Sequence, residues 1–223
     1  DYTVDEGGLQ FYALDGYLQR GGLTLGMVKV LRDDLKADTP PDPPEAYGVG
    51  YTTLAWSRDG ETWTRDPEPF FQPDPQQGAW DHAHAWIDEQ LPVGDEVYLY
   101  YGGYARGHKV NRFEERQIGL VTMKRDRYVA RTTSGGTGEL VTPLLRFLAE
   151  TLLVNANAEG GRLRVEIRDD TGTPLQGFTY ADCSPVTSNT ISQPIAWAHP
   201  LNTLKDKTIR LAFQLEQASL FAF

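Results

Sequence analysis

The 223 residues include 40% hydrophobic and 11% aromatic side chains, enough for a packed core and too many for wholesale disorder. Thirty-one acidic residues against 21 basic ones give a formal charge of −10, which argues against nucleic acid, because no basic stripe exists to release its counterions. No apolar run approaches ~18 residues, so nothing reads as spanning a membrane.

The chain opens at Asp1-Tyr2 with neither a methionine nor a signal peptide, so a processed or excerpted chain is expected. "LQFYAL" (Leu9 to Leu14) alternates, Asp15-Gly16 predicts a turn, and "YLQRGGLTLGMVKVL" continues as strand with a break at Gly21-Gly22. "DDLKADTPPDPPEAYG" (Asp33 to Gly48) is acidic and proline-rich, hence a loop. In "AWSRDGETWTR" (Ala55 to Arg65) an alternating strand meets Asp59-Gly60 and a second begins at Thr62-Trp63. That pattern predicts a hairpin with a type I′ turn, since both turn residues tolerate positive φ.

A second proline-rich loop, "DPEPFFQPDPQQG", follows. "AHAWIDEQ" and "EVYLYYGG" read as strands joined at Val93-Gly94-Asp95-Glu96, and "RQIGLVTMKRDRYVAR" as a pair turning near Asp126. The character changes over Thr132 to Leu140, which places the boundary near Gly135 and divides the chain into residues 1–135 and 136–223. Beyond it come "TLLVNANA", "RLRVEIRD", "PLQGFTYADC", "PIAWAH", "KTIRLAFQLEQ" and "SLFAF". Strands at this spacing predict a β-sandwich. Its central strand is "TIRLAFQLE", where Ile209, Leu211, Phe213 and Leu215 share one apolar face. The one candidate helical turn is Leu144 to Glu150. Asp169-Asp170 reads as a turn rather than a calcium loop, and the single cysteine, Cys183, as a small buried hydrophobe.

"SRDGETW", "GAWDHAHAWIDEQLPVGDEVYLYYGGYARGH" and "RQIGLVTMKRDRYVA" resemble late blades of the five-bladed β-propeller of glycoside hydrolase families 32 and 43 and their bacterial relatives. "GELVTPLLRF", "LLVNANAEGGRLRVEIRDDTGTPLQGFTYADC" and "KTIRLAFQLEQASLFAF" resemble the β-sandwich that follows such a propeller. The resemblance implies an all-β chain, a partial propeller followed by a sandwich, and a carbohydrate-active protein. A blade needs ~40–45 residues and a ring at least about four blades. The first part of the chain is therefore too short to close a ring. In the resembling families the catalytic carboxylates lie on the early blades, so the catalytic pair is expected to be missing. Association with an absent N-terminal segment, or a homo-oligomer, follows as the expected partner besides carbohydrate.

Within this frame the candidate site residues are Trp80, Asp81, Tyr101, Tyr104, Arg106 and His108. Asp81 either bonds sugar hydroxyls or an arginine, or caps its own turn; Trp80 either stacks on a pyranose or belongs to the core. Paired glycines in "YYGGYARGHK" allow close approach of backbone to a ligand. His108 resembles the histidine that follows this strand in the relatives, while Tyr101, Tyr104 and Arg106 are suited to glycan contact. "RDP" at Arg65 to Pro67 matches a family 32 motif letter for letter, but sits at the wrong place in the chain and is read as chance. His82 and His84 lie two apart and would share a strand face, without the further ligands a metal needs. Glu114-Glu115-Arg116 reads as a solvated charge run. No cofactor is implied. The compartment stays open, with a secreted or periplasmic address among the options. The competing reading is a non-catalytic glycan-binding or structural β-module, or two sandwiches that mimic a blade.

Overall fold

The computed structural model of the chain describes residues 8–37, 47–108, 114–133 and 135–223. It is all-β. The described residues hold no α-helix, only one 3-10 turn at Leu201–Leu204. Two compact units divide the chain, residues 1–123 and 124–223.

The first unit is one seven-stranded sheet. β1 (Leu9–Arg20), β2 (Leu23–Lys36), β3 (Tyr47–Ser57) and β4 (Trp63–Phe71) form one antiparallel meander. β5 (His84–Val93), β6 (Glu96–Tyr104) and β7 (Gln117–Lys124) follow as neighbours in order. The two groups meet through a single parallel bridge, Gly50 of β3 with His84 of β5. β2 is buried on both faces around Met27, Val28, Val30 and Leu31, as befits a strand inside a sheet.

Several local expectations change. Asp15-Gly16 is not the first turn. β1 runs straight through it as a bulge, with Gly16 at φ +56, and the reversal comes at Gly21-Gly22, where Arg20 faces Leu23. One more residue sits in the bulged strand than opposite it, which a left-handed glycine accommodates without strain. β2 also continues through Asp33 to Lys36, so the acidic loop starts later; the rest of that proline-rich segment, residues 38–46, lies outside the described residues. β4 absorbs Pro67 and Pro69 because it pairs only with β3, and an edge strand tolerates a missing N–H donor.

The hairpin at Asp59-Gly60 is present, but the connection spans residues 58–62 and only Gly60 has positive φ (+79), so it is not a type I′ turn. The aspartate shapes the loop with its side chain instead. One Asp59 carboxylate oxygen accepts the backbone N–H groups of Glu61 (2.9 Å) and Thr62 (2.7 Å) and the Ser57 hydroxyl (3.0 Å). The β5–β6 turn holds to expectation: Val93 faces Glu96, and Gly94 has the φ (+59) that a type II′ turn requires at its first central position.

The second unit is a sandwich of two four-stranded sheets. β8 (Arg131–Thr132) belongs to one sheet, β9 (Thr137–Val141) and β10 (Leu145–Arg146) to the other. β11 (Leu153–Asn157), β12 (Arg162–Arg168), β13 (Asn189–Pro194), β14 (Thr208–Glu216) and β15 (Ser219–Ala222) complete them. One sheet places β14 between β12 and the β9/β10 side; the other runs β13-β11-β15-β8. Val154, Ala156 and Leu220 of the second sheet share one apolar cluster with Leu163, Val165, Ile167 and the β14 residues of the first. The helical turn expected at residues 144–150 is strand β10, and "PLQGFTYADC" and "PIAWAH" contribute turns and irregular chain rather than full strands.

No hairpin forms at Asp126. This residue adopts φ +62, and β8 pairs with β15 of the second unit rather than with β7. Arg127 holds the segment there: its guanidinium donates to Asn155 Oδ1, Asn189 Oδ1 and the carbonyls of Ala156 and Thr190, over the Phe221 ring. Residues 124–135, grouped by the sequence with the first part, thus fall in the second unit. Cys183 is buried and accepts the Val165 N–H, and burial raises its pKa, which makes it a packing residue and not a reactive thiol.

Two measurements check this account. Phe213 is fully buried on β14 and packs 4.8 Å from the Phe223 ring, so Phe213→Ala is expected to cost about 3–5 kcal/mol in chemical denaturation. Backbone N–H donors hold Asp59 ionised down to a pKa of about 2. Its contribution to stability is therefore complete above the unfolded value near ~3.9 and is lost as pH falls through about 2. A carboxyl NMR titration of Asp59 with its midpoint near 4 would contradict the loop geometry.

Candidate functional site

Alternation along β6 decides how the candidate residues are distributed. Tyr101 and Tyr104 are three apart, so they point to opposite faces of the strand. The Tyr101 face carries a closed cluster. Its hydroxyl donates to Asp81 Oδ2 at 2.7 Å, Trp80 stacks on its ring at 5.5 Å, and Phe71 meets it edge-on at 4.7 Å. Asp81 and Tyr101 are both buried, and burial together with the Asp81 hydrogen bond pushes the Tyr101 phenol above its usual range. Gly103 faces the same cluster: a Cβ there would lie 2.5 Å from the Trp80 ring and 2.7 Å from Asp81 Cβ. Among the described residues Asp81 thus holds a tyrosine rather than an arginine, and the space beside Gly103 is filled by the protein itself. Arg106 is engaged as well, in an ion pair with Glu115.

The Tyr104 face is different. His84 lies directly across from Tyr104 on β5, with ring centroids 4.9 Å apart, and stacks on His108 at 5.2 Å. Trp86 follows on the same face, 4.6 Å from His84 and 5.5 Å from His108, and its indole N–H donates to the Val30 carbonyl at 2.9 Å. Tyr12 closes the group from β1, 5.0 Å from both Trp86 and His108. Tyr12, Trp86, Tyr104 and His108, with Ala13, Lys29 and Arg116, frame a cavity of about 310 Å³, and His84 lies buried behind them.

Bulges place two side chains at this site. Phe11 faces Val30 and Ala13 faces Lys29, so Tyr12 is an extra residue in β1. Ile87 faces Tyr101 and Glu89 faces Tyr100, so Asp88 is an extra residue in β5. Bulges re-aim side chains in this way next to binding sites. Tyr12 ends up half exposed at the cavity, and Asp88 reaches Lys29. Lys29 also pairs with Asp15 at 2.6 Å. Burial opposes the charge on Lys29, but the hydrogen bonds to the two carboxylates outweigh it and raise its pKa.

His84 is the buried residue around which the face is built. Its Nε2 faces the Gly48 carbonyl at 3.2 Å, so the neutral ring carries its proton there. Burial first, then the neighbouring His108, lowers its pKa to about 3, and the ring is neutral across the physiological range. Room for it comes from Gly50, where a Cβ would sit 2.5 Å from His84 Nδ1 and 2.8 Å from Trp86 Nε1. His82 does not share this face. It lies before β5, within hydrogen-bonding distance of the carbonyls of Asp74 (2.8 Å) and Ala37 (2.6 Å). No group of His, Cys, Asp and Glu among the described residues is arranged to hold a metal ion. "RDP" is on the edge strand β4, with Arg65 over the Phe11 ring, and lines no part of the cavity.

Of the six residues singled out by sequence, the structure therefore brings Tyr104 and His108 to the cavity. Trp80, Asp81 and Tyr101 go to the opposite face of β6, and Arg106 to Glu115. Tyr12, Lys29, Trp86 and Arg116 are cavity residues that sequence reasoning missed. Trp86 was legible in part, two residues from His84 in an alternating strand.

No family model matches the chain, and no curated protein matches it. Among solved structures it is similar to one described as a glycoside hydrolase, at 18% identity and a TM-score of 0.35. That match covers 54% of this chain and 31% of the other. It is also similar to the Bombyx mori GH32 beta-fructofuranosidase BmSUC1, at 9% identity and a TM-score of 0.32, over 97% of this chain and 80% of that one. The likeness is a distant one of fold.

The packing around His84 generates a direct test. Gly50 has an ordinary φ, so only space forbids a side chain there. Gly50→Ala is expected to destabilise the protein by roughly 1–3 kcal/mol and to change the tryptophan fluorescence, because the methyl group drives into His84 and Trp86. A variant with wild-type stability and emission would show that β3 and β5 do not meet as described.

Proposed function

We propose that the first unit binds carbohydrate in the cavity framed by Tyr12, Trp86 and Tyr104. The observation that carries this reading is the bulge that sets Tyr12 at the cavity beside Trp86, with Lys29, His108 and Arg116 around it. A sugar presents apolar C–H faces that pack on aromatic rings and hydroxyls that need donors and acceptors, and this lining offers both. The volume falls at the low end of the ~300–1,000 Å³ typical of small-molecule sites, which suits a single ring.

Binding is favoured over hydrolysis. Glycosidases work with two carboxyl groups flanking the scissile bond. Among the described residues no carboxyl side chain lines this cavity, and Asp15 and Asp88 share Lys29 as their counter-ion. A carbohydrate-active protein resembling a glycoside hydrolase, with the catalytic pair outside this chain, accommodates these features.

A glycan array probed with the full chain tests the reading. Wild type is expected to retain a defined set of glycans, and Tyr12→Ala to weaken them about tenfold, the loss of one aromatic platform worth roughly 1.4 kcal/mol. Asp81→Asn is expected to leave binding intact, since Asp81 faces Tyr101. Binding that survives Tyr12→Ala and fails in Asp81→Asn would move the site to the other face of β6. Release of free sugar by the wild-type chain would replace the binding reading with a hydrolytic one.

A further inference from the structure

The charges around the cavity are unequally engaged. Lys29 is buried between two carboxylates, Asp15 and Asp88, so its charge is more than balanced locally. Glu115, next to Arg116 in sequence, is paired with Arg106. Arg116 itself lines the cavity, its Cζ 5.7 Å from the Tyr104 ring centroid, and makes no hydrogen bond or ion pair with any described residue. Its guanidinium rests against Gly102, where a Cβ would lie 3.4 Å from Nη2 and 3.5 Å from Nε; Asp88 Oδ2, of the carboxylate shared with Lys29, lies 3.5 Å from the same point. Trp86 is directly across from Gly102 on β5, so the guanidinium lies on the same face as the aromatic wall.

We infer that the ligand is an acidic sugar, and that Arg116 holds its carboxylate while the ring packs against Tyr12 and Trp86. This deepens the carbohydrate reading and rests on it. The reason is the shape of the donor. A guanidinium is a planar fork whose parallel N–H groups match the two oxygens of a carboxylate, and such bidentate pairs exceed neutral hydrogen bonds in strength. A hydroxyl-only sugar can accept hydrogen bonds from that guanidinium but brings no counter-charge. In a chain of formal charge −10, Arg116 presents an exposed guanidinium at the cavity, over the Tyr104 ring and without an ion pair among the described residues. The preference is local and does not extend to polyanions, which the net charge repels.

The test compares matched ligands on the full chain by calorimetry: methyl glucoside with methyl glucuronide, and methyl galactoside with methyl galacturonide. Each pair differs only in whether C6 is an alcohol or a carboxylate. Wild type is expected to prefer a uronide at least about tenfold, the worth of a hydrogen bond to a charged group. Arg116→Gln is expected to abolish that preference, and Arg116→Lys to keep only part of it, because the charge remains without the fork. Tyr12→Ala is expected to weaken both members of a pair alike. Equal binding of hexoside and hexuronide would overturn the inference and leave the carbohydrate reading standing. A preference that persists in Arg116→Gln would overturn it too. A methyl glucoside 6-sulfate that binds more tightly than the uronide would assign the site to a sulfate ester instead. Binding of none of these ligands would overturn both readings.

Discussion

The first unit depends on one close approach. Among the described residues Gly50 of β3 and His84 of β5 form the one bridge between the two strands, and it exists because Gly50 carries no side chain. The Gly50 N–H donates to the Ala83 carbonyl at 2.8 Å. Thr52 extends the junction: its hydroxyl donates to the Ala85 carbonyl and accepts the Ile87 N–H, both at 2.9 Å. A buried threonine side chain thereby replaces the ladder that the diverging strands no longer make, and the backbone groups beside it are satisfied. His84 fills the space left by the glycine, which sets Tyr104, Trp86 and His108 around it. The aromatic face of the cavity follows from the joint between the strands.

On this frame the bulges do the rest. An unbroken β1 would alternate its side chains strictly, and Tyr12 would take the place its position in the pleat assigned. The extra residue in β1 sends it to the cavity, and the extra residue in β5 sends Asp88 to Lys29. Lys29 then draws β1, β2 and β5 together through Asp15 and Asp88. The same ion pairs engage the lysine charge, while Arg116 makes no ion pair among the described residues. Two cations, one held in a salt-bridge group and one over the Tyr104 ring, thus line the same cavity.

The second unit offers a contrast. β14 alternates apolar and mixed residues without interruption, and Ile209, Leu211, Phe213 and Leu215 are all buried as a single face. Its polar networks look inward or along the surface of the sheet. Arg127 is held by two asparagine side chains and two carbonyls, and Arg168 by Glu139 and Glu166. Regular pleating of β14 buries apolar surface efficiently, while in the other sheet the register of β11 shifts against both β13 and β15.

The sequence by itself determined the all-β class, most strand positions, the sandwich with β14 at its centre, and the turns at Gly94 and Asp169. These are local matters of alternation, φ preference and side chains that bond their own loops, and a linear reading has access to them. It also carried enough to separate Tyr101 from Tyr104, since three residues on a strand reverse the face. The bulges at Tyr12, Asp88 and Gly16 were beyond it, because a bulge is defined by the partner strand: one residue too many opposite a chain that is elsewhere in the sequence. The role of Gly50 was hidden for the same reason. Only tertiary structure brings His84 within 2.5 Å of the Cβ that Gly50 lacks. The cavity is a product of that packing, with β1, β2, β5, β6 and the residues before β7 each supplying a part.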